Sequence, residues 1–478
     1  MGYPDVSVNY AYEKSIEFVS THGIMVGDEN GKFNLKSHIS VAMLCVVITH
    51  FFSIELLSQD YHSTPGIPDW ASPYFSACQN AKLLPPNFAE RINQDAEIKD
   101  IFHIFDNAKK HLFRLTFQMN FRIFEKFSEN YLSRGICAHL IYLFAQYVSR
   151  EVSRQLLTPD KTPLTHLLSL VDQYTWIPEL ASSDIYQICS LLKPTKYSTK
   201  LSEQVSKFVL MRNICNLKQK FSYQGNDPLY HYTSLYALEK LTLPNAQFHL
   251  SNTAYLNDPQ EGLLGMNKLS KRSVLDPTTG KRWYASSKSS SDVTVRPSFI
   301  ASFMTKGDIL PMWVQYGSGG AGCCLEFSPD TISEPLYSVT YSSKVINAFF
   351  SKIFEILNSY RPSSPLSSDP VFRYARTVLD QGCYLYKDIS YKHEQEVRII
   401  TFAPVYKAKS EDTPRPGDAF PRVYWETPLQ KNRNLELGLR FSSIILGPTV
   451  PNPEQIAVAL AQRGYDNLLL KKSKIKFR

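Results

Sequence analysis

The sequence predicts a multidomain protein: an all-α region over residues 1–220, then an α+β region over residues 226–478. Three observations carry this reading. Apolar residues recur at helical spacing through most of the first half. From "PLYHYTSLYALEKL", Pro228 to Leu241, onward, short strand-like runs with single helices take over. Between the two lies "KFSYQGNDP", Lys220 to Pro228, a polar stretch with glycine and proline that reads as a boundary. At 478 residues the chain is long enough for two or three domains, each burying its own core.

In the first half, "AYEKSIEFVSTHGIMVGDENGKFNLKSHISVAMLCVVITHFF" gives an amphipathic helix, a glycine-rich turn and a second helix capped near Ser40. A related pattern starts at Trp70, "WASPYFSACQNAKLLPP" followed by "INQDAEIKDIFHIFDNAKKHL". A third starts at Trp176, "WIPELASSDIYQICSLLKP" followed by "LSEQVSKFVLMRNICNL". The order helix, "GIMVGDENGKFN", helix resembles the S-layer homology repeat, and three echoes predict an internally repeated helical domain. That resemblance implies wall anchoring in exported proteins. The start "MGYPDVSVNYAYEKS" has neither a basic segment nor a long apolar core, so no signal peptide is expected. The helical half is therefore expected to be a recognition or oligomerisation module that binds a protein partner.

In the second half, Leu229 to Tyr232 alternates as a strand does, and Thr233 or Ser234 can cap a helix whose buried stripe is Leu235, Leu238 and Leu241. Such a strand aims His231 and Tyr232 at a helix N-terminus, where free amides and the macrodipole favour anions. An ordinary core histidine would fit the same spacing. Further strands are expected at "AQFHLSN", "RPSFIASFM", "GAGCCLEFS", "LYSVTYS", "EVRIITFAPVY" and "RFSSIILGP", and helices at Lys344–Tyr360, Val371–Tyr386 and Pro453–Arg463. Strands with inserted helices imply an α+β domain, expected as two packed small sheets. "YASSKSSSDVTVRP" and "KAKSEDTPRPGDAFPR" read as surface loops.

Bulk properties exclude several classes. The net charge of +8 is mild for this length, and the basic end "KKSKIKFR" reads as a solvated terminus. The longest apolar run, Val41 to Phe52, is too short to span a bilayer, so no membrane is expected. The eight cysteines show no CxxC spacing, which fits a reducing, cytoplasmic location. Histidines and cysteines lack metal-ligand spacing, and no GxGxxG follows a strand, so neither a metal site nor a Rossmann dehydrogenase is expected.

The chemistry-bearing residues cluster in four further stretches. "HLSNTAYLNDPQEG" places Asn252, Tyr255, Asn257, Asp258 and Glu261 after a strand; "FIASFM" ends on Ser302-Phe303. "LPMWVQYGSGGAGCCLEF" sets Trp313 and Tyr316 one helical turn apart, and "YKHEQEVRII" puts Glu394, Glu396 and Arg398 on one face of a strand at period two. Each has an ordinary explanation as turn, core or cross-strand salt bridge. In this order, over residues 228–447, they resemble the bacterial domain of unknown function 2971 family: "HYTS", then "NDPQE", then "SF" with "MWVQYG", then "EQEVR". Val397 departs from the aromatic residue more usual there.

The same order resembles the ADP-ribosyltransferase fold. That resemblance implies NAD as substrate and a protein or nucleic acid as acceptor. Glu396 would stabilise the ribose cation that develops as nicotinamide leaves, and Glu394 would orient or deprotonate the acceptor. His231, with Tyr232 and Thr233 beside it, would grip the dinucleotide through its adenosine ribose. Tyr255 and Tyr316 would stack on the cationic nicotinamide. Ser302 would support the glutamate or the ribose. Arg398 would hold the pyrophosphate, or pair with Glu394 or Asp258. The function expected is an NAD-dependent ADP-ribosyltransferase, within a conditionally active toxin or anti-phage effector. An NAD glycohydrolase and a non-catalytic nucleotide- or protein-binding module are the alternatives.

Overall fold

The computed structural model describes the chain apart from residues 1–2, 7–11, 57–65, 116–129, 159–161, 193–200, 245, 257, 259, 277–279, 281, 284–297, 363, 416–417, 428, 430–438 and 477–478. It divides into two compact units, residues 1–206 and 207–478.

The first unit is helix-rich. It comprises α1 (Glu13–Thr21), α2 (Val41–Phe51), α3 (Ser72–Asn80), α4 (Ile98–Ala108), α5 (Arg134–Leu157), α6 (Leu164–Gln173), α7 (Trp176–Leu180) and α8 (Ser183–Leu192); α9 (Leu201–Gln219) runs across the division. Its largely aliphatic core carries stacked aromatic pairs, Phe105 on Phe144 at 4.2 Å and Phe51 on Trp176 at 5.3 Å. Three segments close a ring of backbone hydrogen bonds. The Ile39 amide donates to the Leu132 carbonyl (3.0 Å), the Leu132 amide to Ala96 (2.7 Å), and the Ala96 amide back to Ile39 (2.8 Å). A second set runs round the ring in the opposite direction, from Val41 to Gln94 (3.0 Å), Ile98 to Asn130 (3.0 Å) and Arg134 to Ser37 (2.9 Å). Each segment then enters a helix, at N-caps Ser40, Glu97 and Ser133. The third member of the ring is thus Leu132-Ser133, and the segment after Trp176 stays outside it. Trp176 and Trp70 look alike in sequence only: Trp176 is 3% exposed within the core, Trp70 54%.

The second unit is α+β. In chain order it contains β1 (Leu229–Thr233), α10 (Leu235–Leu241), β2 (Phe248–Asn252), α11 (Leu263–Leu269), β3 (Val274–Leu275), β4 (Arg282–Trp283), β5 (Ser298–Met304), α12 (Leu310–Gln315), β6 (Cys323–Phe327) and β7 (Tyr337–Ser338). There follow α13 (Ser343–Ser359), α14 (Pro370–Cys383), β8 (Glu396–Phe402), β9 (Lys409–Ser410), β10 (Val423–Thr427), β11 (Ser443–Leu446), α15 (Pro453–Gln462) and β12 (Leu469–Lys472).

Instead of two separate small sheets, one forked sheet forms, β12-β11-β6-β1-β5-β2-β10-β9, with a small β3-β4 ribbon beside it. The fork is at β5. One edge of β5 pairs with β8 along its whole length, from Ser298↔Phe402 to Met304↔Glu396. The other edge is shared, with β2 at Phe299 and Ile300 and β1 at Met304 alone. Alternation buries Phe299, Ala301 and Phe303 of β5 with Val397 and Ile399 of β8 in the main core. It leaves Ser302, Glu396 and Arg398 on the opposite face.

Two expected loops resolve differently. Residues 284–297 lie outside the described residues, whereas Lys409–Ser410 of "KAKSEDTPRPGDAFPR" is strand β9, paired with β10. The basic end is no free tail, because Leu469–Lys472 forms β12 parallel to β11 and the Lys474 amide donates to Asp308 (2.9 Å). Its lysine side chains remain exposed.

Candidate functional site

The residues of the late motif are delivered by a kinked segment. Glu394 ends a 3-10 turn, Ile389–Glu394, and Gln395 takes a left-handed backbone (φ 45°) before β8 begins at Glu396. Glu394 therefore does not share a strand face with Glu396 by period two. The two meet because Lys387 bridges them, its Nζ donating to Glu394 Oε2 (2.6 Å) and Glu396 Oε2 (3.3 Å).

Arg398 lies at the centre of this cluster, 1% exposed. Its Nε and Nη2 grip both oxygens of Glu396 (2.7 and 2.8 Å), while Nη1 and Nη2 grip both oxygens of Glu261 (2.7 and 2.9 Å). The remaining Nη1 hydrogen goes to the Tyr384 carbonyl (2.6 Å). All five guanidinium donors are thus used inside the protein. This corrects the expected role of Arg398: it holds no donor for a pyrophosphate, and its carboxylate partners are Glu261 and Glu396, not Glu394 or Asp258.

Glu261, Glu394 and Glu396 are buried together with Lys387 and Arg398, so carboxylates outnumber cations. Burial pushes the Glu396 carboxyl up, but Arg398 and Lys387 outweigh it, with the Ser302 hydroxyl adding a hydrogen bond; the group is held down to about 2. Burial works against the Lys387 ammonium, but Glu396, Glu261 and Glu394 offset it and its pKa is raised. The Tyr316 hydroxyl donates to the free oxygen of Glu394 (3.1 Å), and burial pushes its own pKa up.

His231 closes the cavity from the side where the sheet forks. Beyond the Tyr230↔Met304 pair β1 and β5 separate, and the Ser302 carbonyl loses its ladder partner. His231 Nδ1 takes that place at 2.9 Å. A carbonyl can only accept, so Nδ1 carries the proton and Nε2 is left as an acceptor in the neutral ring. Burial lowers the His231 pKa, partly offset by that bond, and the ring packs against Phe248 (5.1 Å) and Phe303 (5.7 Å).

Together these groups line a cavity of about 90 Å³, walled by His231, Tyr232, Ser302, Tyr316, Glu394 and Glu396 among others. Seven of the nine sequence-predicted site residues reach it, the seventh being Arg398 at its base. Thr233 and Tyr255 are not in its wall. Thr233 pairs with Cys323 across the sheet, and the Tyr255 ring faces the Arg422 guanidinium at 5.9 Å. The Tyr232 hydroxyl accepts from the Ile309 amide (2.9 Å), which fixes the ring as wall. The helix after β1 is only Leu235–Leu241, and Ser234 Oγ already accepts from the Ala237 amide (3.1 Å), so the expected anion end is largely capped.

Two wall residues, Glu261 and Lys387, carry no role in the sequence reading. Glu261 stood in "NDPQEG" with a partner visible only in three dimensions, 137 residues away. Lys387 precedes the "HEQEVR" motif in a stretch that reads as an ordinary helix end.

Among the described residues no group of three or more His, Cys, Asp or Glu side chains is arranged to hold a metal ion, and no helix is long and apolar enough to cross a membrane. No curated protein matches the chain. Residues 312–399 match the family described as "Protein of unknown function (DUF2971)", a shorter span than the motif resemblance and one that takes in Tyr316, Lys387, Glu394, Glu396 and Arg398.

Proposed function

We propose that the second unit cleaves the bond between nicotinamide and ribose in NAD and passes ADP-ribose to an acceptor. The observation that carries this reading is the convergence of His231, Ser302 and Glu396 from the neighbouring strands β1, β5 and β8 on one cavity. That is the strand order in which the ADP-ribosyltransferase resemblance places a ribose grip, a supporting serine and a glutamate.

The cavity suits one end of the substrate. About 90 Å³ is well below the roughly 300–1,000 Å³ of sites that enclose a whole ligand, so it takes a ring or a pentose and leaves the rest outside. Its excess of carboxylates favours the cationic nicotinamide–ribose end over the diphosphate. As the glycosidic bond breaks, nicotinamide leaves with the electron pair and positive charge builds on the ribose. Glu396, ionised under all ordinary conditions, stabilises that charge, a contribution of about 3–4 kcal/mol for a preorganised group. The acceptor supplies a new electron pair to the same carbon, and Glu394 receives its proton. His231 Nε2 accepts from a hydroxyl of the nicotinamide ribose, in place of the adenosine ribose inferred from sequence.

The helical first unit, with its three-segment ring, supports a repeated sensing module of the S-layer-homology type, acting on the second unit in the cytoplasm. A chain that consumes NAD harms its own cell, which favours a conditionally active toxin or anti-phage effector.

Full-length protein incubated with NAD, with and without lysate as acceptor source, should release nicotinamide. Glu396→Gln should lower release by roughly 100-fold or more with NAD affinity little changed. Tyr316→Phe keeps every charge and should lower transfer while the fold persists. A second reading is favoured by the saturated donors of Arg398: the cluster is a structural lock in a binding module. In that case the full chain releases no nicotinamide above background, and Glu396→Gln lowers stability without changing that rate.

A further inference from the structure

A second, larger cavity of about 800 Å³ lies on the other side of the segment that carries Glu394. Its volume falls within the range of sites that enclose small molecules. Three lysines line it, each from a different part of the second unit: Lys220 just after α9, Lys352 on α13 and Lys392 in the turn before β8. Among the described residues no carboxylate lines it, and none of these lysines has a carboxylate within salt-bridge distance. The wall therefore carries positive charge without counter-charge, which favours an anionic occupant. The floor is an edge-to-face pair, Phe221 and Phe349, with ring centroids 5.1 Å apart. At the rim, Val345 and Ile389 are 47% and 62% exposed, apolar surface that an aromatic body would cover.

The wall between the two cavities is thin. The Tyr341 ring lines the larger one while its oxygen accepts from the Glu396 amide (3.1 Å), leaving its own hydrogen to donate. Burial pushes that phenol up to about 12, so the hydrogen stays on. Ile389 and Lys392 belong to the turn that ends at Glu394, and the Val339 amide donates to the Glu396 carbonyl (3.0 Å).

We propose that this cavity is a second binding site, for a nucleoside phosphate, whose occupant sets the position of Glu394 and Glu396. The lysines take the phosphate, the Phe221–Phe349 floor takes the base, and Tyr341 with the 389–394 turn transmits occupancy to the carboxylates. The site is independent of the NAD reading, because its occupancy is measured directly.

The test is calorimetric titration of the full chain with AMP, ATP, adenosine and inorganic phosphate. AMP and ATP should bind, with adenosine and phosphate each at least tenfold weaker. Lys352→Glu with Lys392→Glu should weaken AMP binding at least tenfold without lowering the melting temperature, since both side chains are exposed. His231→Ala should leave AMP binding intact, which separates this site from the smaller cavity. Tyr341→Phe should retain binding but abolish any change that AMP produces in the fluorescence of Trp313, which packs beside Tyr232 in the smaller cavity's wall. Absence of AMP binding at millimolar concentration, unchanged affinity in the charge-reversed variant, or loss of binding in His231→Ala would each overturn the assignment. Equal displacement by inorganic phosphate would overturn the nucleoside part.

Discussion

Arg398 and its partners set the charge balance of the cavity and the stability of the second unit at once. Removing one member of a buried charge pair leaves the other uncompensated, a loss of about 3–5 kcal/mol. Arg398→Met should therefore lower the unfolding free energy by that order in urea titrations, because Glu261 and Glu396 would both lose the cation that grips their two oxygens. Replacing Glu261 by Leu in the same chain should recover much of the loss, since two of the carboxylate oxygens then no longer need a partner.

The same groups set the response to pH. The folded pKa of Glu396, about 2, lies below its ordinary 4.5, so its stabilisation is complete above 4.5 and is lost as pH falls from 4.5 towards 2. His231 is lowered too, from 6.5, so the folded state resists its protonation and stability declines as pH falls below 6.5. Lys387 is raised above 10.5; its contribution is complete below that value and is lost as pH rises through the higher folded value. Melting temperature measured against pH should therefore fall in two stages on the acid side and again in strong alkali. A His231→Phe variant should weaken the first acid stage, to which His139 and His249, also lowered by burial, contribute the rest.

At the scale of elements, the fold was legible where one face meets one core. Runs such as "RPSFIASFM" and "EVRIITFAPVY" became β5 and β8, and the helix expected at Lys344–Tyr360 became Ser343–Ser359. Alternation and helical spacing are local, so the chain displays them without its neighbours. What escaped is set by distant partners: the kink at Gln395, the fork that turns His231 towards Ser302, and the pairing of Glu261 with Arg398. Position two apart in sequence put Glu396 and Arg398 together correctly and misplaced Glu394, because a single left-handed residue resets the alternation.

The end of α9 and the residues after it also belong to the second unit. Lys218 lies over the Tyr337 ring (5.3 Å), Ser222 bridges Tyr337, and the Tyr223 amide donates to Leu336 (2.8 Å). The boundary read from "KFSYQGNDP" would strip these contacts from β7, which in turn pairs with β8. A fragment of residues 207–478 should unfold cooperatively and match the full chain in the nicotinamide-release assay of the proposed function. A fragment of residues 226–478 should melt at lower temperature in a differential scan.

For the whole molecule, the backbone ring in the first unit has a consequence in time. Its members, Ile39, Ala96 and Leu132, are all essentially buried. During synthesis the Ile39 amide and the Ala96 carbonyl emerge well before Leu132, the residue that satisfies both. Until then each faces either water or an unmet polar cost of about 1–3 kcal/mol. The ring therefore closes only once Leu132 is available. A fragment of residues 1–115 should exchange its Ile39 amide hydrogen freely, whereas residues 1–206 should protect it; nascent chains stalled on the ribosome should show the same step, acquiring protease resistance only after Leu132 has cleared the exit.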